Sequence, residues 1–107
     1  MQTFVPRPTA AIRVDDDAAL FRLLGDPTRL RLLEALRSVD ELCVHDIAQR
    51  VGASDTKTSQ ALRLLRTAGI VRTRRDGRHV HYRLDDEHVR ALLDVSDAHL
   101  HADRDPR

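Results

Sequence analysis

The chain has 107 residues, a length that suits one domain, and its formal net charge is only +1. With 33% charged and 41% hydrophobic residues it has the composition of a soluble globular protein, and apolar runs of only a few residues, such as Ala91-Leu92-Leu93, exclude a membrane span. The lone Cys43 excludes an internal disulfide, and the only aromatics, Phe4, Phe21 and Tyr82, are too few for a protein that reads single strands by stacking bases.

Residues 1–14 contain Pro6 and Pro8 and no helical period, and read as a flexible N-terminal arm. They hold no charged-then-apolar leader, which predicts a cytoplasmic protein. Asp15-Asp16-Asp17 then places negative charge where a helix start favours it; Ala18, Leu20, Phe21 and Leu24 follow, and Gly25 stops the helix. Asp26 suits an N-cap and Pro27 the first position of a second helix over 27–38, in which Leu30, Leu32, Leu33, Ala35 and Leu36 recur at helical spacing. Val44, Ile47, Ala48 and Val51 give a short third helix within 41–51, closed by Gly52. Ser54 caps a fourth over 55–68, with Thr58, Ala61, Leu62, Leu65 and Ala68 on one face and Lys57, Gln60, Arg63 and Arg66 on the rest.

Gly69 ends that helix, and Ile70–Arg74 and His79–Leu84 read as strands joined through Asp76-Gly77, a strong hairpin signal. Asp86 to about Asp103 forms a fifth helix with the stripe Val89, Leu92, Leu93, Ser96 and Leu100. The fold class is therefore mainly α with a two-stranded β-hairpin wing, a winged helix-turn-helix that dimerises through its terminal helices. Residues 15–104 form the DNA-binding and dimerisation domain and 105–107 a short tail.

The small net charge is a cancellation. Residues 1–55 carry −2, residues 56–84 carry +7 and residues 85–107 carry −4. A polyanion binder needs a local basic footprint rather than a high total, and the basic segment supplies one. On the fourth helix Gln60 and Lys57 suit base edges in a major groove, while Ser59, Arg63 and Arg66 suit phosphates. Arg74, Arg75 and Arg78 surround the hairpin tip, where a wing meets phosphates or a narrow minor groove. The expected partner is double-stranded operator DNA, bound with strong salt dependence.

Four segments together resemble the ArsR/SmtB family of metal-responsive repressors: Leu23 to Arg29 (LLGDPTR), Glu41 to Ala48 (ELCVHDIA), Ser59 to Leu65 (SQALRLL) and Gly77 to Leu84 (GRHVHYRL). The resemblance implies a homodimeric DNA-binding repressor that leaves its operator on binding an inducer, usually a metal ion.

The residues themselves point to a metal. Of the six histidines His45, His79, His81, His88, His99 and His101, the last three sit in the acidic final segment with Asp86, Glu87, Asp94, Asp97 and Asp103; a solvated tail is the competing explanation. His88 and His99 are eleven residues apart, about three helical turns, and so share a face. They are also about 16 Å apart along the axis, against a zinc–nitrogen bond of about 2.0–2.1 Å, so one helix cannot close a site. Two antiparallel copies can, giving two equivalent sites at a dimer interface. Histidine and carboxylate ligands suit a divalent effector, zinc foremost, with cobalt and nickel as alternatives. Such ligands must be neutral imidazoles, so sensing should fade below about pH 6.

The family's interfacial pattern is Asp-x-His, ten residues, then His-x-x-Glu or His. Asp86, His88 and His99 match it, but the fourth position is Ala102, which has no ligand atom. Asp103, four residues beyond His99, takes that place, with His101 from a frayed helix end or a water as alternatives. A competing set is Cys43, His45 and Asp46, where the family's other metal box places thiolates. Residues 1–20 lack Cys and His to complete it, so Cys43 is expected to be a small core residue. His79 and His81 share one face of a strand as a further, weaker pair; the resemblance makes His79 part of the wing, bridging to the last helix.

Three alternatives stay open: a same-family regulator with a non-metal or lost effector site, a protein-interaction module on the same fold, and a metallohydrolase. The last lacks a phosphate-cradling loop, a nucleophile elbow or a second catalytic constellation, so no enzyme, no small-molecule substrate and no membrane partner are expected.

Overall fold

In the computed structural model residues 8–101 are described, with side chains from Val14 onward. The chain order is α1 (Pro8–Leu24), α2 (Pro27–Arg37), β1 (Leu42–Cys43), α3 (Val44–Val51), α4 (Asp55–Thr67), β2 (Val71–Asp76), β3 (His79–Leu84) and α5 (Glu87–His101). α1 starts at Pro8, ahead of the Asp15 start expected from the acidic triplet, so residues 8–14, read from the sequence as part of a flexible arm without helical period, belong to this helix. The rest of that arm, the 105–107 tail, Ala102 and Asp103 fall outside the described residues.

Local chemistry sets most boundaries. Asp26 is extended at φ −84°, accepts a hydrogen bond from the Arg29 N–H at 3.0 Å, and is followed by Pro27 at the first helical position of α2. α3 ends where Gly52 turns left-handed at φ 71°. The turn then passes to Ser54, whose hydroxyl accepts from the Lys57 N–H at 3.1 Å and opens α4. These steps, together with the β2–β3 ribbon, build the expected helix-turn-helix and wing.

The wing differs from expectation in having a third strand. The sheet order is β1-β3-β2, all antiparallel, with Leu42 opposite Tyr82 and Cys43 opposite His81. β1 is too short to show a period of its own and exists only through pairing with β3. The hairpin is also longer than the sequence suggested: β2 runs to Asp76, which faces His79, and the two-residue loop is Gly77-Arg78 with Gly77 at φ 63°.

One core ties the elements together. Leu32, Leu33 and Leu36 of α2 are fully buried with Ile47 of α3 and Leu62 and Leu65 of α4, and Val71, Tyr82 and Leu84 of the sheet close over them. Each such aliphatic side chain contributes about 1.5–3 kcal/mol through removal from water. Only the first half of α5 joins this core: Leu93 is buried and Val89 and Leu92 half-buried, whereas Val95 and Leu100 stand in solvent at 66% and 48% exposure. On α1, Phe21 is likewise 60% exposed. The apolar groups left uncovered thus concentrate on the two terminal helices.

Candidate nucleic-acid interface and effector site

α4 presents two faces. Thr58, Leu62 and Leu65 are buried and hold the helix on the core, with Ser59 and Ala61 half-buried at the margin. Lys57, Gln60, Arg63 and Arg66 are exposed, and none of them has an ion-pair partner among the described residues. His45 of α3 reaches across the turn, with Nδ1 3.3 Å from Asp55 Oδ2, and clips α3 to the first turn of α4.

The wing arginines do not form the single tip cluster expected of them. Arg74 is taken by Glu41: its Nε lies 3.1 Å from both carboxylate oxygens and a terminal nitrogen also bonds one of them. The bond from Arg74 pulls the Glu41 carboxyl below its ordinary value, and the same contact raises the Arg74 guanidinium. Arg72 likewise donates from Nε to Asp85 Oδ1 at 2.6 Å. Arg75 and Arg78 remain exposed, with no carboxylate partner among the described residues. The interface offered to a polyanion is therefore α4 together with Arg75 and Arg78, with Arg74 held to one side.

On α5, Asp86 does two jobs at the helix start. Its Oδ1 accepts the N–H of His88 at 2.9 Å and of Val89 at 3.1 Å, and its Oδ2 lies 3.2 Å from His88 Nδ1. The bond with the His88 ring, followed by that from the Val89 N–H, lowers the Asp86 carboxyl below its ordinary value. In the Nδ1–H tautomer the ring donates to Asp86 and leaves Nε2 free, the arrangement by which a carboxylate orients a histidine ligand. His88 is 95% exposed in its side chain, and His99 is exposed toward the other end of the helix.

Two other acidic residues of α5, Asp94 and Asp97, have structural partners. Arg37 of α2 bonds Asp94 at 2.7 Å, Glu34 at 3.2 Å and Asp97 at 3.5 Å. Asp94, followed by Glu34, raises the Arg37 guanidinium above its ordinary value. His101 Nε2 sits 3.6 Å from Asp97 Oδ1 and so faces along α5. Part of the acidity ascribed to a metal from the sequence is thus a clamp between α2 and α5. Arg37 and Glu41 carry no sequence signal for these roles, because their partners lie 57 and 33 residues away.

Among the described residues no three His, Cys, Asp or Glu side chains gather in the way a metal ion requires. Cys43, His45 and Asp46 are not brought together: His45 turns to Asp55, and Asp46 is exposed. Cys43 is not the buried core residue expected but half-buried at the edge of a cavity of about 310 Å³ shared with His45, Asp55 and His79. That cavity is where His79 stands, rather than against α5. The His79 and His81 rings do share the outward face of β3, 6.4 Å apart, and His81 approaches Glu41 at 4.0 Å. Asp86 and His88 fit half of a histidine–carboxylate site, and the chemistry of that donor pair suits a divalent ion.

Known proteins share this architecture. The family model described as "bacterial regulatory protein, arsR family" matches residues 26–73. Over 84 residues the chain is 40% identical to the cadmium resistance transcriptional regulatory protein CadC homolog of Staphylococcus aureus, covering 78% of this chain and 69% of that protein. Over 83 residues it is 45% identical to the HTH-type transcriptional regulator KmtR of Mycobacterium tuberculosis, covering 74% of this chain but only 63%, less than two thirds, of that regulator. A solved homodimeric winged helix-turn-helix DNA-binding domain from Mycobacterium bovis, of a possible ArsR-family regulator, superposes with a TM-score of 0.80 at 29% identity, covering 99% and 100% of the two chains. Among the described residues no helix is long and apolar enough to cross a membrane. With its helix-turn-helix, its wing and these likenesses, the chain belongs to the arsR family of bacterial regulatory proteins, a family of transcriptional regulators and not of enzymes.

Proposed function

We propose that this protein is a homodimeric transcriptional repressor of the cytoplasm that binds double-stranded operator DNA and releases it when a divalent metal binds at α5. The observation that carries the DNA half is the exposed face Lys57, Gln60, Arg63 and Arg66, left without carboxylate partners among the described residues and set beside Arg75 and Arg78. Gln60 and Lys57 reach base edges, and Ser59, Arg63, Arg66 and the wing hold phosphates. The uncovered Phe21, Val95 and Leu100 support pairing of the terminal helices with those of a second copy.

For the effector, Asp86 and His88 of one copy would act with His99 and Asp103 of a second, His101 being the alternative fourth ligand. A bound ion would supply the positive charge that draws these groups into one shell; zinc suits them first, cobalt and nickel next. Asp86 fixes the His88 ring through Nδ1 and keeps α5 capped while doing so. By linkage, DNA must weaken metal binding by the factor by which metal weakens DNA binding. The Staphylococcus relative is named for cadmium, a soft metal that favours thiolates, and this chain offers only Cys43, away from α5.

The test is duplex binding by the wild type and by a His88→Ala/His99→Ala variant, each with and without zinc, cobalt and nickel. Release of the wild type alone is expected. Equal release of both would move the effector away from α5. No release of the wild type by any metal would favour a same-family regulator without a metal effector, for which Ala102 and the engagement of Asp94 and Asp97 by Arg37 already speak.

A further inference from the structure

We infer that the DNA interface continues past the start of α4 into a cationic groove along the outer side of α2, where Arg31 and Arg50 hold the phosphate backbone flanking the bases that α4 reads. This rests on the DNA-binding reading above and extends it to two residues outside the helix-turn-helix and wing positions already assigned.

Two cavities of about 320 Å³ and 560 Å³ lie end to end, because Arg31 and Val51 line both. The smaller one starts at Lys57, so the groove is continuous with the recognition surface. Its polar side chains are Thr28, Arg31, Ser54 and Lys57, all able to donate, and no carboxylate lines it. Gly52 and Ala53 form its floor, and such small residues let a sugar–phosphate strand approach the backbone closely. The larger cavity is lined mostly by apolar groups of Pro27, Leu30, Ala35 and Val51, with Arg31 and Arg50 as its cations, and its single carboxylate, Glu34, is already held by Arg37 at 3.2 Å.

Pairing sharpens the contrast. Arg29, Arg37, Arg72 and Arg74 all meet carboxylates within the chain. Arg31, Arg50 and Lys57 are exposed and meet none among the described residues. Three unneutralised cations along one groove repel one another and are stabilised by a row of negative charges, which a DNA strand provides at regular spacing. An acidic segment of another protein could also supply charge, but only DNA is in place by virtue of the neighbouring α4.

The experiment measures the salt dependence of binding to two duplexes, one recovered by selection from a random-sequence library and one scrambled. The proteins compared are the full-length wild type, Arg31→Ala, Arg50→Ala and Arg31→Lys. Each alanine variant removes one phosphate contact per protomer, so the slope of log Kobs against log salt should shrink by about two in a dimer. The loss should be the same on both duplexes, since phosphate contacts position the protein and do not specify sequence. Arg31→Lys should keep the wild-type slope, and unchanged thermal unfolding shows that the folds are intact. Wild-type slopes for both alanine variants would overturn the inference and leave the groove to another partner, with DNA binding by α4 untouched. Absence of salt-dependent binding by the wild type would overturn the DNA reading itself.

Discussion

Arg37 at the end of α2 and Asp94 in the middle of α5 meet at 2.7 Å, joining the core of the helix-turn-helix to the helix that carries His88 and His99. Asp97 lies next to this contact at 3.5 Å from the same guanidinium. Arg37→Ala should therefore loosen α5, seen as faster amide exchange around Asp94 and Asp97 and a lower Tm, with a difference that narrows as salt rises. If zinc is the effector proposed above, Asp94→Asn should leave its affinity within twofold of wild type in a titration, about 0.4 kcal/mol. Loss of zinc binding in that variant would make Asp94 a ligand rather than a clamp.

Thr58 is fully buried in α4 and its hydroxyl has no hydrogen-bond partner among the described residues. An unsatisfied buried polar group costs about 1–3 kcal/mol, so Thr58→Val, which keeps the shape and removes the hydroxyl, should stabilise the fold by about 1 kcal/mol. That corresponds to a rise in Tm of roughly 5 °C for a domain of this size, measured at fixed protein concentration. A fall in Tm would mean that the hydroxyl is satisfied in solution.

Leu62 and Leu64 are two positions apart on α4, one fully buried and the other 45% exposed. Leu62→Ala should cost about 2–5 kcal/mol by opening a cavity between α2 and α4. Leu64→Ala should change stability by no more than about 0.5 kcal/mol. Denaturant unfolding of both variants checks the orientation of the helix, and equal losses would contradict it.

Glu41 and Asp86 have carboxyls held below their ordinary values of 4.5 and 3.8. A lowered folded-state pKa means stability that is complete above the unfolded value and is lost as pH falls through the folded one. Glu41→Gln should thus lower Tm at pH 7, with the gap to wild type closing as pH falls below the ordinary 4.5 and through the lowered folded-state value. It also frees Arg74, so DNA affinity and its salt slope should rise. A gap that persists unchanged into acid would show that the Arg74 contact contributes nothing to stability.

The helix starts and stops were legible because local groups make them: Asp26, Pro27, Gly52 and Ser54 act within one turn of themselves. Most of the core stripes of α2 and α4 was legible for the same reason, since a helical period is visible in any short window, but Leu30 and Ala68, placed on those stripes, are exposed. What escaped lies in pairings made at a distance. β1 has only Leu42 and Cys43 and is defined by Tyr82 and His81, about 40 residues on. Asp94 and Asp97 looked like free acidic groups because Arg37 is distant in the chain, and Arg74 looked like a tip cation because Glu41 is. The early start of α1 escaped because Pro8–Val14 has no apolar stripe to announce it.

β1 passes into α3 without a spare residue, Cys43 being the last of the strand and Val44 the first of the helix. Because Leu42 and Cys43 are laced to β3, turning α3 without turning the wing would tear that lacing. In the proposed dimer each subunit would then grip DNA as one jaw, and a signal would change the distance and tilt between two jaws more readily than the grip within either.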